Sequence, residues 1–346
     1  MSLVGIIANP ASGKDIRRIV GNAITVDNQQ KLNIVKRILV ALAASGVDQV
    51  WVMPDQFGFG RRALKDLAAR PDVQRAVRVL DIPFDNLPED TPLAAERMRQ
   101  AGADCIIVLG GDGTCRLVAK TSGDVPLIPI SSGTNNVVPD FIEGTVAGLA
   151  AAHLCRLDQS DRRSLCWQHK HLVVQVNGAE VEHALVDVAV VNTAHVGSRA
   201  VWEPQLIRQV FVTRADPAHI GISSVIGMAR AIDARTPQGA WVQTGQGQQT
   251  VQTTILPGEL VEMQISPIET MLPDVLYPLI DHRPVTLALD GERELVLYAG
   301  DQAGVMLRCD GPWLVDVHAT LKDALRKEQY LRQLSAAGQD GLSKPA

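Results

Sequence analysis

The sequence predicts an α/β protein with two domains. The first is a parallel sheet flanked by helices, over residues 1–145, and the second is a β-rich, mostly antiparallel domain over 146–319. Two observations lead to this fold class. In the first domain, short apolar runs alternate with segments of helical periodicity, the pattern of a parallel sheet with crossover helices. In the second, alternating apolar and polar residues favour antiparallel pairing. A C-terminal helix and tail follow at 320–346.

The first domain is predicted from strands and helices that alternate along the chain. Each strand is a continuous apolar run, as expected where a sheet is covered on both faces. The runs are 3–9, 49–54, 76–83, 104–110 and 125–131. The helices are 28–46, 61–70, 91–102, 141–155 and one that begins near Thr114. Pro71 stops the second helix, and Thr91 is the expected N-cap of the third.

The second domain is predicted from long segments in which every second residue is apolar. These segments are 171–192, 239–267, 284–300 and 304–317. They contain Asn177-Gly178 and Asp290-Gly291, and Asn-Gly and Asp-Gly are favoured pairs for two-residue hairpin turns. We therefore expect a hairpin at Asn177-Gly178, and a hairpin is one of the two interpretations of Asp290-Gly291. Because β-rich domains often pair, a homo-oligomer is a further expectation.

Composition limits the function classes. Of 346 residues, 46% are hydrophobic and 21% are charged, and the net charge of −5 argues against nucleic-acid binding as the main function. The five cysteines form no C-x-x-C pair, so neither a disulfide framework nor a zinc site is expected. The N-terminal run lacks the basic residues of a signal peptide, and no run of about 18 apolar residues predicts a membrane span. The expected location is the cytoplasm.

Three turns rich in small residues follow strands of the first domain. They are 9–15 (NPASGKD), 110–114 (GGDGT) and 131–136 (SSGTNN). In an open parallel sheet, ligands bind beyond the carboxyl ends of the strands, where these turns lie. Glycine lets main-chain N–H groups approach a ligand because no Cβ stands in the way, and such donors suit phosphate. The pattern therefore predicts a phosphate-binding site.

Asp112 stands among the glycines of the second turn, where a carboxylate would repel phosphate. Such a residue is favourable there if it holds Mg²⁺ or accepts a proton from an attacking hydroxyl, and both roles belong to phosphoryl transfer. The alternative is that Asp112 only forms an Asx-turn or caps the helix that begins near Thr114. The doubled glycine and the two other turns favour the functional interpretation.

The motifs NPASGKD, GGDGT, GTNN and the late LDGERE (289–294), in this order, resemble the superfamily of ATP-NAD kinases, diacylglycerol kinases and sphingosine kinases. Within it, the N-terminus and the run VPLIPISSGTNNVVPD are most similar to the acetoin catabolism protein X group. The resemblance implies an NAD kinase-like fold and an ATP-dependent phosphotransferase that uses Mg²⁺. Its acceptor would be a small-molecule hydroxyl, with conversion of NAD to NADP as the first expectation.

The resemblance also implies roles for individual residues. Asp112 would be the catalytic carboxylate, as the base for the acceptor hydroxyl or as a ligand that helps to place the metal. The residues that would line the nucleotide cleft are Asn9, Ser12, Gly13, Gly110, Gly111, Gly113, Thr114, Gly133, Thr134, Asn135, Asn136, Asp290 and Glu292. Asp290 and Glu292 would reach the cleft from the second domain, and the alternative for Asp290 is a plain hairpin turn.

One departure concerns the acceptor. NAD kinases carry an A-L-N-E/D segment whose asparagine and acid recognise the dinucleotide, and the nearest match here is Ala184-Leu185-Val186-Asp187. Valine cannot supply the hydrogen bonds of asparagine, which costs discrimination. The pair Asn135-Asn136 also differs from the G-N-D of lipid kinases. Two alternatives therefore stay open: a nucleotide-binding regulatory protein linked to acetoin catabolism without NAD kinase turnover, and a lipid or small-diol kinase.

A third alternative comes from the segment GFGRRA, 58–63, which follows a predicted strand. Gly58, Gly60 and Ala63 fit the G-x-G-x-x-A dinucleotide fingerprint, and Asp81 ends the next strand. This pattern would indicate an NAD-dependent oxidoreductase. A single match of this kind is weak evidence, because glycines of a flexible loop give the same pattern.

Overall fold

The computed structural model describes residues 1–13, 26–133, 136–193, 201, 203–279 and 284–329, without the side chains of 293 and 294. The predicted cleft residues Thr134 and Asn135 lie outside this part of the chain. The end of the predicted C-terminal helix and the tail, from residue 330 onward, also lie outside it.

The first domain is built on a sheet with strand order β3-β2-β1-β4-β5 in its parallel part. These strands are β1 (Leu3–Ala8), β2 (Gln49–Val52), β3 (Val77–Val79), β4 (Cys105–Gly110) and β5 (Leu127–Ser131). Neighbouring pairs among them are all parallel, which confirms the predicted fold class of this domain.

Two strands from later in the chain extend this sheet. They are β6 (Cys166–Gln168) and β18 (Trp313–Val315). Strand β18 pairs in parallel with β5, and β6 pairs antiparallel with β18. We propose that the first domain therefore includes these segments as well as 1–145, while the boundaries read from the sequence stay a prediction.

Helices cover both faces of the sheet. They are α1 (Asn28–Ala44), α2 (Phe59–Asp66), α3 (Pro71–Ala76), α4 (Asp90–Gln100), α5 (Asp112–Ser122), α6 (Gly144–Leu154) and α7 (Gln159–Ser164). A later helix, which precedes the end of the described chain, spans Val317–Arg326 and packs on α6. There, His153 Nε2 lies 2.8 Å from Asp323 Oδ2.

Two local predictions were wrong. Pro71 does not simply stop a helix, because it occupies the first turn of a separate helix, α3, where the missing N–H costs nothing. The strand predicted at 76–83 shortens accordingly to Val77–Val79. Thr91 is not an N-cap, since α4 already begins at Asp90 and its N-cap position is Glu89. The Asp90 carboxylate instead accepts N–H bonds from Asp85 and Leu87 of the preceding loop.

Helix α1 is held against α6 by two glycines of α6. A Cβ at Gly148 would lie 2.7 Å from the Ala41 Cβ and 3.0 Å from the Ile38 carbonyl oxygen. Gly144 approaches the Ile34 carbonyl in the same way. A capping box at Asp27 and Gln30 fixes the start of α1. This packing determines where the first turn of α1 meets the sheet.

The second domain contains two antiparallel sheets that pack face to face. One has strand order β12-β11-β10-β9-β15-β16, with β13 paired to β11, and the other has order β14-β17-β7-β8. The strands of the first are β9 (Asp187–Val191), β10 (Ile207–Val212), β11 (Gly239–Thr253), β12 (Val261–Ile265), β13 (Glu269–Met271), β15 (Val285–Leu289) and β16 (Glu292–Leu297). Those of the second are β7 (His171–Val176), β8 (Ala179–Ala184), β14 (Leu276–Pro278) and β17 (Ala303–Arg308). A short helix, α8 (Ser224–Gly227), and a 3-10 turn, Pro204–Leu206, complete the described elements.

Both hairpins are present. Asn177 and Gly178 have φ values of 53° and 81° between β7 and β8, and Asp290 and Gly291 have values of 51° and 78° between β15 and β16. Two consecutive positive φ values are the signature of a type I′ turn. The Asp-Gly pair therefore does form a hairpin, as the alternative interpretation of Asp290 proposed.

The two domains share a hydrophobic cluster. Leu185 and Val186, between β8 and β9, are buried with Cys115, Val137 and Val138 of the first domain. The link between two strands of the second domain is thus part of the first domain's core. Among the described residues, no helix has both the length and the hydrophobicity needed to cross a membrane.

The contact between α1 and α6 gives a prediction about stability. Gly148→Ala should lower the free energy of unfolding by about 1–2 kcal/mol, because steric overlap with α1 exceeds the gain in helix propensity. Thr145→Ala, on the exposed side of the same helix, should change it by no more than about 0.5 kcal/mol. Urea denaturation of both variants measures the difference. Equal stabilities would contradict the close approach of the helices.

Candidate functional site

The three glycine-rich turns meet at the carboxyl ends of β1, β4 and β5. The Asn9 amide nitrogen Nδ2 donates a hydrogen bond to Thr114 Oγ1 at 2.9 Å. The Ser12 and Ser132 hydroxyls are 2.8 Å apart. A Cβ placed on Gly133 would lie 4.0 Å from the Gly13 Cα. Direct contacts therefore join the first turn to each of the other two.

The described cleft residues from these turns form one continuous surface. They are Asn9, Ser12, Gly13, Gly110, Gly111, Gly113, Thr114, Gly133 and Asn136. Asn136 belongs to it through its side chain, whose Nδ2 donates to Ser131 Oγ at 2.8 Å and to the Gly133 carbonyl at 3.3 Å. The sequence-based grouping of these positions thus corresponds to a spatial grouping.

The three glycines of GGDGT differ in which neighbouring atoms a side chain at their position would meet. A Cβ at Gly110 would lie 2.6 Å from the Thr114 Cβ, and one at Gly111 would lie 2.8 Å from Asn136 Oδ1. At Gly113 the nearest atoms belong to the Glu292 carboxyl group, at an ordinary 3.7 Å. Packing therefore favours glycine at 110 and 111, whereas no contact with the described residues requires it at 113.

Lys31 is a site residue that sequence reasoning missed. Its side chain is fully buried, and its ammonium donates to Asn9 O at 3.0 Å, Ser12 O at 2.7 Å and Ser12 Oγ at 2.9 Å. It lies in the first turn of α1, and its three hydrogen bonds hold the 9–12 turn in shape. The signal in the sequence is a lysine on the apolar face of a helix, next to Leu32 and Val35.

Asp112 joins two of the turns. It is the first residue of α5, and its carboxylate accepts N–H bonds from Val137 (3.0 and 3.1 Å) and Val138 (2.8 Å). The N-cap position of α5 is Gly111, so Asp112 does not cap its own helix through its side chain. Its carboxylate is held instead by the segment that follows β5.

Asp290 brings a second carboxylate to the same place from the second domain. Its oxygens accept N–H bonds from Leu185 at 3.1 Å and Val186 at 2.7 Å, and Arg116 Nε lies 3.5 Å from Oδ2. The main chain of Asp290 forms the hairpin turn while the side chain points to the domain boundary. Asp290 therefore forms the hairpin turn with its main chain and also directs its carboxylate toward the first domain.

Burial raises the pKa of both acids. For Asp112 burial is the largest cause and the negative charge of Asp290 the second, and together they raise its pKa to about 7. The N–H bonds from Val138 and Val137, and the charge of Arg214, act in the opposite direction. Burial likewise raises the pKa of Asp290, against the lowering effect of Arg116. A carboxyl group with a pKa near 7 can both take up and release a proton at neutral pH.

Val186, the valine of the segment 184–187, has a structural role. Its side chain is 1% exposed within the shared cluster, and its amide donates to Asp290. The segment thus connects the domains through apolar packing and main-chain hydrogen bonds.

No group of three or more metal-ligating side chains occurs within the ranges that the structure describes. A Mg²⁺ ion commonly takes only one or two carboxylates from the protein and completes its shell with phosphate oxygens and water. The acids at the end of α5, Asp112 and Glu292, fit that donor set.

The glycines of GFGRRA have packing roles. Gly58 is the N-cap of α2 with a φ of 75°, and a Cβ at Gly60 would lie 2.9 Å from Val79 Cγ2 and 3.2 Å from Val52 Cβ. Glycine at 60 therefore allows α2 to contact the sheet closely. The oxidoreductase interpretation of this segment has no further support in the structure.

Comparisons with known proteins determine the family. Residues 4–156 match the ATP-NAD kinase N-terminal domain, and residues 170–310 match the acetoin catabolism protein X C-terminal domain. The chain is 35% identical to "Acetoin catabolism protein X" from Cupriavidus necator, over 97% of this chain and 96% of that protein. The chain belongs to the acetoin catabolism protein X family. The resemblance read from the motifs is confirmed.

Solved structures give weaker likenesses. Yeast NADH kinase complexed with NADH has a TM-score of 0.47 at 14% identity, covering 97% of this chain and 90% of that one. A putative diacylglycerol kinase from Bacillus anthracis has a TM-score of 0.40 at 12% identity, covering 91% and 96%. An NAD kinase from Archaeoglobus fulgidus in complex with ATP has 0.33 at 12% identity, covering 95% and 100%. The family assignment rests on the sequence matches.

The raised pKa of Asp112 gives a prediction about pH. Because its pKa is about 7 in the folded state and 3.8 as the ordinary value, the folded state binds the proton more tightly. This contribution to stability is complete below about pH 4 and is lost as the pH rises through 7, with a slope of at most about 1.4 kcal/mol per pH unit.

The comparison of the wild type with Asp112→Asn isolates this effect, since asparagine does not titrate. The free energy of unfolding of the wild type minus that of the variant should fall between pH 5 and 7 and stay level above about pH 8. Chemical denaturation at several pH values measures it. A difference that is constant or rises with pH would show that the pKa of Asp112 is not raised.

Proposed function

We propose that this protein is a phosphotransferase that binds ATP with Mg²⁺ and transfers a phosphoryl group to a hydroxyl of a small molecule. The observation that carries the proposal is the meeting of three glycine-rich turns around Asp112, whose pKa is raised to about 7. Main-chain donors and a carboxyl group that can exchange a proton are the two components that such a transfer needs.

The phosphates would bind at the N-terminal end of α5. Main-chain N–H groups are unpaired in the first turn of a helix, and the helix dipole favours negative charge there. Gly113 leaves this end open with respect to the described residues, because the nearest atoms to a Cβ built there belong to the Glu292 carboxyl group at 3.7 Å. Bound Mg²⁺ would neutralise phosphate charge, with Glu292 as a protein ligand and Asp112 as either a second ligand or the base for the acceptor hydroxyl.

Asp112 would act on the acceptor. At neutral pH, a group with a pKa of about 7 is ionised in about half of the molecules. The ionised carboxylate takes the hydroxyl proton as the acceptor oxygen attacks phosphorus and the bond to the leaving phosphate oxygen breaks. The N–H bonds from Val137 and Val138 hold the carboxylate in a fixed position for this step.

NAD is the first acceptor to test, because the first domain matches the ATP-NAD kinase family. A second candidate function is nucleotide binding in a regulatory role, without NAD kinase turnover. It is favoured by Val186, whose buried side chain offers no hydrogen bond to a dinucleotide. A lipid or a small diol is the other acceptor class.

A direct assay tests the proposed activity. We expect the purified protein, given ATP, Mg²⁺ and a panel of NAD, diacylglycerol and small diols, to form a phosphorylated product from one of them. Asp112→Asn should lower turnover by roughly 100-fold or more, the usual contribution of a general base. Mass spectrometry of the products measures both. Binding of ATP without any phosphorylated product would support the regulatory alternative instead.

Gly113→Ala separates ligand binding from folding. The added Cβ comes no closer than 3.7 Å to any atom of the part of the chain that the structure describes, so stability should be unchanged or higher by up to about 1 kcal/mol. The same Cβ would obstruct the approach of phosphate, so the affinity for ATP should fall roughly tenfold or more. Calorimetric titration and thermal melting measure the two effects.

Gly111→Ala is the matched control. Its Cβ would collide with Asn136 Oδ1, so this variant should lose stability, whether or not phosphate binds nearby. Unchanged ATP affinity in Gly113→Ala would contradict the placement of phosphates at the end of α5.

A further inference from the structure

Arg214 of the second domain has a fixed position beside the candidate site. It follows β10, where the Thr213 amide donates to the Val186 carbonyl at 2.9 Å and the Thr213 hydroxyl donates to the Leu185 carbonyl at 2.6 Å. On its other side, Ala215 and Ile232 exchange main-chain hydrogen bonds of 3.1 and 2.8 Å. The backbone of Arg214 is therefore held from both sides.

The same contacts lead directly to Asp112. Leu185 and Val186, which hold Thr213, are buried in one cluster with Val137 and Val138. The amides of Val137 and Val138 in turn hold the Asp112 carboxylate. The charge of Arg214 accordingly acts on Asp112 across the domain boundary.

The guanidinium of Arg214 has acidic neighbours, since the charges of Asp112, Asp140, Asp216 and Asp233 act on it, but it has no hydrogen-bond partner among the described residues. It is half-buried. Arg230 of the same domain provides a contrast, because it donates to the Ile268 carbonyl and the Thr270 hydroxyl. A guanidinium has five N–H donors, so that of Arg214 has donors to offer to a ligand.

A second polar side chain, that of His219, lies on the same loop. His219 Nδ1 is buried and has no hydrogen-bond partner within the described ranges. Its main-chain N–H donates to the Asp216 carbonyl, which folds the loop back toward Arg214. The charge of Arg214 acts on His219 as well. Arg214 and its neighbour His219 thus both have unused hydrogen-bonding capacity among the described residues.

Among the described residues, the glycine-rich turns offer phosphate no cationic side chain of their own. Three acids, Asp112, Asp290 and Glu292, lie at the end of α5, where they would repel phosphate. The ammonium of Lys31 is directed to oxygens of the 9–12 turn. Arginine matches phosphate through parallel N–H···O bonds, so its geometry suits this role better than that of lysine.

We propose that Arg214 is the phosphate-binding cation of the site and contacts the polyphosphate of the bound nucleotide from the second domain. This inference rests on the proposed function, because it takes polyphosphate as the ligand. The second domain would then contribute a positively charged side chain to the site, in addition to the carboxyl groups of Asp290 and Glu292. Binding of phosphate would also satisfy the guanidinium donors that have no partner among the described residues.

The test compares Arg214→Met with Arg208→Met. Arg208 lies toward the start of β10, roughly 20 Å from Arg214 at the rise of a β-strand, and it donates to the Gln205 carbonyl. Both variants lose one positive charge.

At pH 8.5, where Asp112 is ionised in both, we expect Arg214→Met to weaken tripolyphosphate and ATP binding roughly 10- to 100-fold, with adenosine binding unchanged. Arg208→Met should bind as the wild type does, and Arg214→Lys should lie between.

The outcomes separate this inference from the proposed function. If the wild type binds neither ATP nor tripolyphosphate in calorimetry, the proposed function and this inference both fail. If the wild type binds them and Arg214→Met binds equally well, or loses adenosine affinity to the same extent, the role of Arg214 is overturned and the proposed function stands. Should Arg214→Met fail to fold in a thermal melt, Arg214→Gln and Arg214→Lys decide by the same criterion.

Discussion

The bonds from Val137 and Val138 to the Asp112 carboxylate are the contact on which the rest of the site depends. They tie the start of α5 to the segment after β5, and so fix two of the three turns relative to each other. Val137 and Val138 also pack with Leu185 and Val186. The amides of Leu185 and Val186 in turn donate hydrogen bonds to the Asp290 carboxylate. One short segment therefore aligns a carboxylate of the first domain with one of the second.

Two buried carboxylates near each other are unfavourable by themselves, because burial and mutual repulsion both raise their pKa. The fold offsets this with main-chain donors for each acid and with Arg116 and Arg214 nearby. Acids that served only the fold could be replaced by neutral groups with the same hydrogen bonds. The retained charge is understandable if the site has to exchange a proton or bind a cation together with phosphate.

Much of the fold could be predicted from sequence because its elements have a clear period. The buried strands are continuous apolar runs, and the two hairpins have Asn-Gly and Asp-Gly at the turn. Strands β6 and β18 could not be predicted as members of the first sheet, because three residues carry no period and their partners are distant in the chain. Lys31 was missed for a related reason. Its role depends on carbonyl oxygens of a turn that only the folded chain brings to it.

For the proposed phosphotransferase, the packing of the site limits where an acceptor can be recognised. The segment 184–187, which resembles the dinucleotide-recognising segment of NAD kinases, packs into the boundary between the domains, and its amides bind Asp290. A residue in that position cannot contact a ligand without opening the shared core. Recognition of the acceptor must therefore come from segments that line the cleft without supporting it. The loop that follows β10 meets this condition, since its main chain is anchored at Thr213 while His219 Nδ1 has no hydrogen-bond partner among the described residues. With Arg214 assigned to the polyphosphate of the nucleotide, His219 is the side chain of this loop that is left for the acceptor.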